Sequence, residues 1–288
     1  MADQQAMWVD GAPAAGHPPG LYRNLRTAAG GVETLDAVDA EAVASYWDQG
    51  FLVVRQAFAP ERVAEALDAV LDLIGGRVPG FRGVQFEARA RELPADAPAE
   101  VRQDHVRKLW LFCAHQPRLR AIAEDPALLR AVSALMGGAA PFMFQDQALL
   151  KPPLGGREKP WHQDNAYFNV APETPVVGVW IALDPATPDN GCMHVVPGTH
   201  REGPTVHFSR RDWQICDDHV ALDRDAVVPL PPGGLMLFHG LLHHGTPANG
   251  SGMRRRALQF HYRPADTVSI RGEQRTAIYG SEGKDVTC

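Results

Sequence analysis

The sequence predicts a mainly β fold with flanking α-helices, a sandwich or jelly roll, on three observations. Beyond Gly138 the chain breaks into short β-prone runs separated by proline and glycine. Before Gly138 the apolar residues instead follow helical spacing. The 288 residues, 45% of them hydrophobic, can bury a sizeable core, and all-β domains of this size commonly stay undivided.

Residues 1 to about 35 are rich in Ala, Gly and Pro and show no sustained period, so they read as a flexible N-terminal arm and a candidate lid. Residues 36–288 then read as a single domain. Asp39 caps a short helix ending near Trp47, and Gly50 leads into a strand, Phe51–Val54. Pro60 opens a second helix, with Val63, Ala66, Leu67, Val70, Leu71 and Ile74 at helical spacing. Asp125-Pro126 supplies a cap and a first-turn proline for a third, through Leu128, Leu129, Val132 and Leu135 to Gly137. The N-terminal helices thus occupy about 39–137. Strand-like runs follow at 147–150, 176–183, 192–196, 235–238 and 257–262. Between them, residues 201–224 are long, polar and irregular, and contain His207, Phe208, Arg210 and Trp213. An insertion of that length is often functional, and here it reads as a substrate loop.

Charge and cysteine usage exclude several classes. A net charge of −6 leaves no basic excess to neutralise phosphates, which argues against a nucleic-acid partner. In Arg254-Arg255-Arg256, the first and third arginines read as a solvated strand edge. The four cysteines (Cys113, Cys192, Cys216, Cys288) form no CxxC pair and read as reduced residues. No apolar run approaches a membrane span, and the first residues lack a secretory pattern. The expectation is a cytoplasmic protein acting on a small molecule; the sequence leaves its oligomeric state undetermined.

The chemistry concentrates in Trp161-His162-Gln163-Asp164. On an extended segment His162 and Asp164, two apart, point the same way. A third imidazole about eighty residues on closes a two-histidine, one-carboxylate face with open positions, as in non-haem Fe(II) oxygenases. Three protein ligands also describe catalytic zinc. His239, His243 and His244 compete for the third place, and spacing alone does not choose among them.

The chain resembles the phytanoyl-CoA dioxygenase family of Fe(II)/2-oxoglutarate oxygenases. The matching text is Lys151-Pro152-Pro153, Trp161-His162-Gln163-Asp164, Val179-Trp180-Ile181-Ala182-Leu183, Asn190-Gly191-Cys192 and Pro197-Gly198-Thr199-His200. It continues in His244-Gly245-Thr246, Asn249 and Arg255, and opens with the run from Asp48 to Val54, so that roughly residues 40 to 265 are covered in order. The resemblance implies a double-stranded β-helix (a cupin-like jelly roll) and selects His244, since the family's ligand begins an H-G-[ST] turn with an arginine eleven residues on. It implies that His162, Asp164 and His244 bind Fe(II) and that Arg255 pairs with the distal carboxylate of 2-oxoglutarate, a geometry that suits a planar guanidinium. Thr246 would assist at the same carboxylate. Lys108 resembles an upstream lysine that also contacts the co-substrate, although a solvated lysine suits that stretch as well. Gln163 and Trp180 are candidates to line the co-substrate pocket; Trp180 in an apolar strand equally suits a core.

The implied reaction consumes O2 and 2-oxoglutarate, releases succinate and CO2, and hydroxylates an unactivated C–H of a small organic substrate. In related halogenases a small residue replaces the carboxylate, so Asp164 points to hydroxylation; desaturation and ring closure use the same triad. Candidate substrate contacts are Asn165, Tyr167 and Phe168 beside the metal pair, with Arg210 and Trp213 in the insertion. A zinc hydrolase and a non-catalytic jelly-roll binding module are the competing readings.

Overall fold

The computed structural model describes residues 8–9, 17–94 and 96–280. Its strands, in chain order, are β1 (Trp8–Val9), β2 (Phe51–Val54), β3 (Val84–Phe86), β4 (Val106–Trp110), β5 (Pro141–Lys151), β6 (Lys159–His162) and β7 (Val177–Ala182). They continue with β8 (Met193–Val196), β9 (His207–Ser209), β10 (Trp213–Ile215), β11 (Ala226–Val228), β12 (Leu235–His239), β13 (His243–Thr246) and β14 (Arg255–Pro264). The helices are α1 (Ala40–Gln49), α2 (Pro60–Ile74), α3 (Ala99–Arg102), α4 (Pro117–Ala123), α5 (Pro126–Leu135) and α6 (Gly272–Tyr279).

Local chemistry sets the helix ends. The Asp39 carboxylate accepts from Ala42 N at 3.0 Å, and Gly50 closes α1 in the left-handed region at φ 85°. Asp125 accepts from Ala127 N and Leu128 N at the start of α5, ahead of Pro126. On α2 the buried face is Val63, Ala66, Ala69, Val70, Leu73 and Ile74, a helical stripe facing the sheet.

Two sheets make the jelly roll. The larger runs β1-β3-β4-β5-β14-β7-β12-β2 and the smaller β11-β8-β13-β6. Period-two alternation divides the larger sheet into two faces. Leu52, Val54, Ala148, Leu150, Val179, Ile181, Leu235, Leu237, Leu258 and Phe260 join the core shared with the helices. Phe51, Val53, Trp180, Ala182, Met236, Phe238 and Ala257 face inward, against Met193, Val195, Ala226 and Val228 of the smaller sheet. Among the described residues no helix is long and apolar enough to cross a membrane.

Three expectations need correction. The described part of the expected loose arm is packed: Leu21 and Tyr22 are buried, and Tyr22 stacks on Trp161 at 5.4 Å and donates to Glu158 Oε1 at 2.8 Å. The insertion at 201–224, read as irregular, carries the hairpin β9–β10, with His207, Phe208, Gln214 and Ile215 buried. Its strands are three residues each, too short to show a period. Cys216 is disulfide-bonded, while Cys113 and Cys192 are free and buried. The wide sequence spacing of the cysteines carried no information about their distance in the fold.

Gly178 sits under close inner packing. A Cβ built there would lie inside contact distance of the Phe238 ring on the neighbouring strand. Gly178→Val is therefore expected to cost about 1–3 kcal/mol by overpacking. Urea denaturation checks this, and an unchanged midpoint refutes it.

Candidate metal centre and its cavity

β6 and β13 run antiparallel with His162 directly opposite His244, and their ring centroids lie 4.1 Å apart. Gln163 continues the extended backbone (φ −113°, ψ 132°), so Asp164 returns to the side His162 occupies. Asp164 Oδ1 is 3.3 Å from His162 Nε2 and 3.6 Å from His244 Nε2. All three groups are buried, and they form a cluster of metal-ligating type with donor atoms within 4.8 Å of one another. Neither His239 nor His243 joins it. The His239 ring packs edge-on to Trp47 at 5.7 Å, and His243 Nε2 lies 2.9 Å from Thr205 Oγ1.

The hydrogen bonds set what the cluster presents. His162 Nδ1 sits 2.7 Å from Pro160 O, and His244 Nδ1 2.9 Å from Leu242 O. A carbonyl only accepts, so each Nδ1 carries the proton and each Nε2 offers a lone pair. Burial lowers the pKa of His162 and pushes His244 down to about 3, which keeps both rings neutral. Burial opposes ionisation of Asp164 too, but the close contact from His261 at its other oxygen helps hold its carboxyl well below the usual range. Three acceptors thus face one point with no donor among them. That arrangement is repulsive by itself and suits a cation.

The second oxygen of Asp164 is held from the other side. His261 Nε2 lies 2.6 Å from Oδ2, and Gln259 Nε2 donates to the same atom at 3.4 Å. The sequence reading missed both residues. The available signal was alternation along β14, which puts Arg255, Ala257, Gln259 and His261 on one face.

A cavity of about 890 Å³ opens on this cluster. Arg255 borders it, only 2% exposed, with its guanidinium 5.4 Å from the Trp180 ring centre. Arg255 donates to Leu149 O at 3.3 Å while its Nε has no partner, and among the described residues no carboxylate pairs with it. Burial lowers its pKa to about 10, so it remains a cation at neutral pH. Thr246, Trp180 and Lys108 also border the cavity, and Lys108 Nζ lies 4.9 Å from the Trp110 ring centre. Burial lowers the Lys108 pKa to about 7.

Gln163 does not border the cavity as expected. Its amide donates to Gly203 O and Leu241 O and accepts from Thr205 N, tying the strand end to the insertion. Asn165 is fully buried beneath Gly240, likewise away from the cavity. Tyr167, Phe168, Arg210 and Trp213 do border it. The insertion is fastened across the mouth: Asp212 pairs with Lys159 at 3.0 Å and Arg107 at 3.2 Å. Arg211 pairs with Glu158 and Asp217 at 2.7 Å each, and Tyr167 donates to Trp213 O at 2.5 Å.

A family model described as phytanoyl-CoA dioxygenase matches residues 46–257. Among curated proteins, phytanoyl-CoA dioxygenase domain-containing protein 1 of Rattus norvegicus is 33% identical over 156 residues, covering 51% of this chain and 53% of its own length. The chain therefore spans about half the length of the curated relatives it matches. Among solved structures, EvdO2 of Micromonospora carbonacea var. aurantiaca in complex with 2-oxoglutarate is 24% identical with a TM-score of 0.62, covering 81% of this chain and 94% of that one. SnoK, a non-heme alpha ketoglutarate dependent carbocyclase from nogalamycin biosynthesis, is 23% identical with a TM-score of 0.61, covering 85% and 91%. At such identities the two structures establish a shared fold.

Buried histidines outside the cluster, His207, His239 and His243 among them, point to a pH dependence of stability. Burial pushes His207 down to about 3 and His239 down to about 4, against about 6.5 unfolded. Between those values the unfolded chain binds protons that the folded chain refuses, so both contributions are complete above pH 6.5 and are lost as pH falls. The denaturation midpoint is expected to decline from about pH 6.5 downward, before carboxylates titrate, and His207→Gln or His239→Gln should flatten the decline. A midpoint flat to pH 4.5 in the parent protein would contradict this.

Proposed function

Because the chain belongs to the phytanoyl-CoA dioxygenase family, we propose that it is an Fe(II)- and 2-oxoglutarate-dependent oxygenase that hydroxylates an unactivated C–H of a small organic substrate. One observation carries the reading: three buried acceptors converge on a point in the same cavity that buries an arginine with no carboxylate partner among the described residues.

The residues present fit the metal. His162 and His244 would ligate through Nε2, each ring fixed in its tautomer by a backbone carbonyl, and Asp164 through Oδ1. His261 and Gln259 occupy Oδ2, so the carboxylate would bind through one oxygen and leave the remaining positions on one side open. Bound Fe(II), with 2-oxoglutarate and O2, would supply oxidative decarboxylation to succinate and CO2 and the power to oxidise a C–H bond. Arg255 would take the distal carboxylate of 2-oxoglutarate, which gives its buried charge a partner that the described residues do not provide. Thr246 would add a hydroxyl donor there, and Lys108 a further contact to the co-substrate. Tyr167, Phe168 and Trp213 would shape the substrate's side of the cavity and keep bulk water away from it.

Mixing the protein with Fe(II) and 2-oxoglutarate without oxygen is expected to give the visible charge-transfer band of the chelate. Asp164→Ala should abolish or greatly weaken it. With oxygen, succinate should form and the product should gain one oxygen atom. Catalysis that persists anaerobically without a keto acid would instead favour a zinc hydrolase.

The outer support of the carboxylate is testable by affinity alone. His261→Leu is expected to weaken Fe(II) binding by about 10–100-fold, and His261→Gln, which keeps a donor, by less. Equal affinity in all three proteins would show that His261 does not support the site.

A further inference from the structure

We infer that the substrate carries hydrogen-bonding oxygen or nitrogen groups beside the carbon that is oxidised, read by the amides of Gln145 and Gln147, and that its reacting portion is not a bare saturated acyl chain. The inference rests on the oxygenase reading above and concerns the substrate's share of the same cavity.

The inner face of β5 carries Gln145, Gln147 and Leu149, while Ala148 and Leu150 point into the helix-side core. Gln147 stands opposite Gln259 and Gln145 opposite His261, the two residues that hold Asp164 Oδ2. The glutamine pair therefore lies one strand, about 5 Å, from the two residues that support Asp164. Arg255 lies four residues back along β14, about 13 Å at the extended rise, so the proposed 2-oxoglutarate anchor sits toward the other end of this face.

The side-chain amides of these two glutamines make no hydrogen bond within the described chain, although Gln147 is only 8% exposed. Other buried glutamines behave differently. Gln163 bonds three backbone groups, Gln103 bonds Glu100 O and Arg256, and Gln214 bonds Ile215 O and Asp217. An amide brings two donors and an acceptor, so Gln145 and Gln147 together present a concentrated set of open groups to whatever fills the cavity. A hydrocarbon packed there would strip them of water and return nothing, at about tenfold in affinity or more per amide. A compact molecule bearing hydroxyl, carbonyl or amide groups would satisfy them. Trp110, next to Gln147 across β4, and Phe168 supply flat apolar walls for the rest of such a molecule.

The probe is cyclohexane, offered to protein loaded anaerobically with Fe(II) and 2-oxoglutarate and followed by calorimetry and by perturbation of the charge-transfer band. Gln145→Leu/Gln147→Leu is expected to bind cyclohexane at least tenfold tighter than the parent, with unchanged 2-oxoglutarate affinity. Gln147→Met alone serves if the double variant fails to fold. Cyclohexane binding that is the same in parent and variant, whether measurable or absent in both, overturns the inference. So does a folded variant that loses 2-oxoglutarate affinity, since the amides would then belong to the co-substrate. Failure of the parent protein to form the band would sink the oxygenase reading instead, so the two failures are distinguishable.

Discussion

The register between β6 and β13 is the constraint on which the site depends. It places His162 across from His244, and the carbonyls of Pro160 and Leu242 then fix both rings with Nε2 toward Asp164. Side chains alternate along a strand, so a slip of one residue would turn His243 inward and send His244 toward Thr205. The slip is opposed by the apolar packing of the same strands. Trp161, beside His162, is fully buried under Tyr22, and Val195 and Val196 of β8 flank β13 on its other edge. Burying Trp161 and aiming His162 are two consequences of one alternation.

β14 applies the same alternation to a harder problem. Its outer residues, Leu258, Phe260 and Tyr262, join the helix-side core, while its inner residues are Arg255, Ala257, Gln259 and His261. A fully buried guanidinium without a carboxylate opposes folding, because its hydration is lost and, among the described residues, one carbonyl at 3.3 Å and the face of Trp180 replace it. Several other cavity cations have carboxylate partners: Arg157 with Glu87, Arg211 with Glu158, and Arg107 and Lys159 with Asp212. Arg255, buried at 2% exposure with one carbonyl as its hydrogen-bond partner among the described residues, suits a place for an anion.

The sequence was most legible where one residue type at one spacing had one physical meaning. Asp39 and Asp125 capped helices as read, and the runs at 51–54 and 235–238 are strands because their alternate residues serve two different cores. His162 and Asp164 could be paired because only one extended residue separates them. What stayed hidden depended on contacts distant along the chain. His261 is defined by Asp164, 97 residues earlier, and the packing of Tyr22 by Glu158, 136 residues later. Gln163 was misread because its place between two ligands says nothing about which way an alternating chain turns it. It points outward and bonds the backbone of the insertion instead.

That outward turn links the insertion to the metal ligands. Lys159 begins the strand that ends in His162, and it holds Asp212 and the Tyr167 hydroxyl of the turn that starts at Asp164. Glu158, one residue before, holds Arg211, while Gln163 bonds Gly203 and Thr205 from between the two ligands. The hairpin over the mouth is therefore fastened to the segment that carries two of the three proposed ligands, by charge pairs at one end and backbone hydrogen bonds at the other. These pairs are largely shielded from solvent and so only weakly screened by salt. Displacing the hairpin to admit a substrate would strain β6 and the turn after it, so the geometry of the mouth and that of the metal face are mechanically one unit.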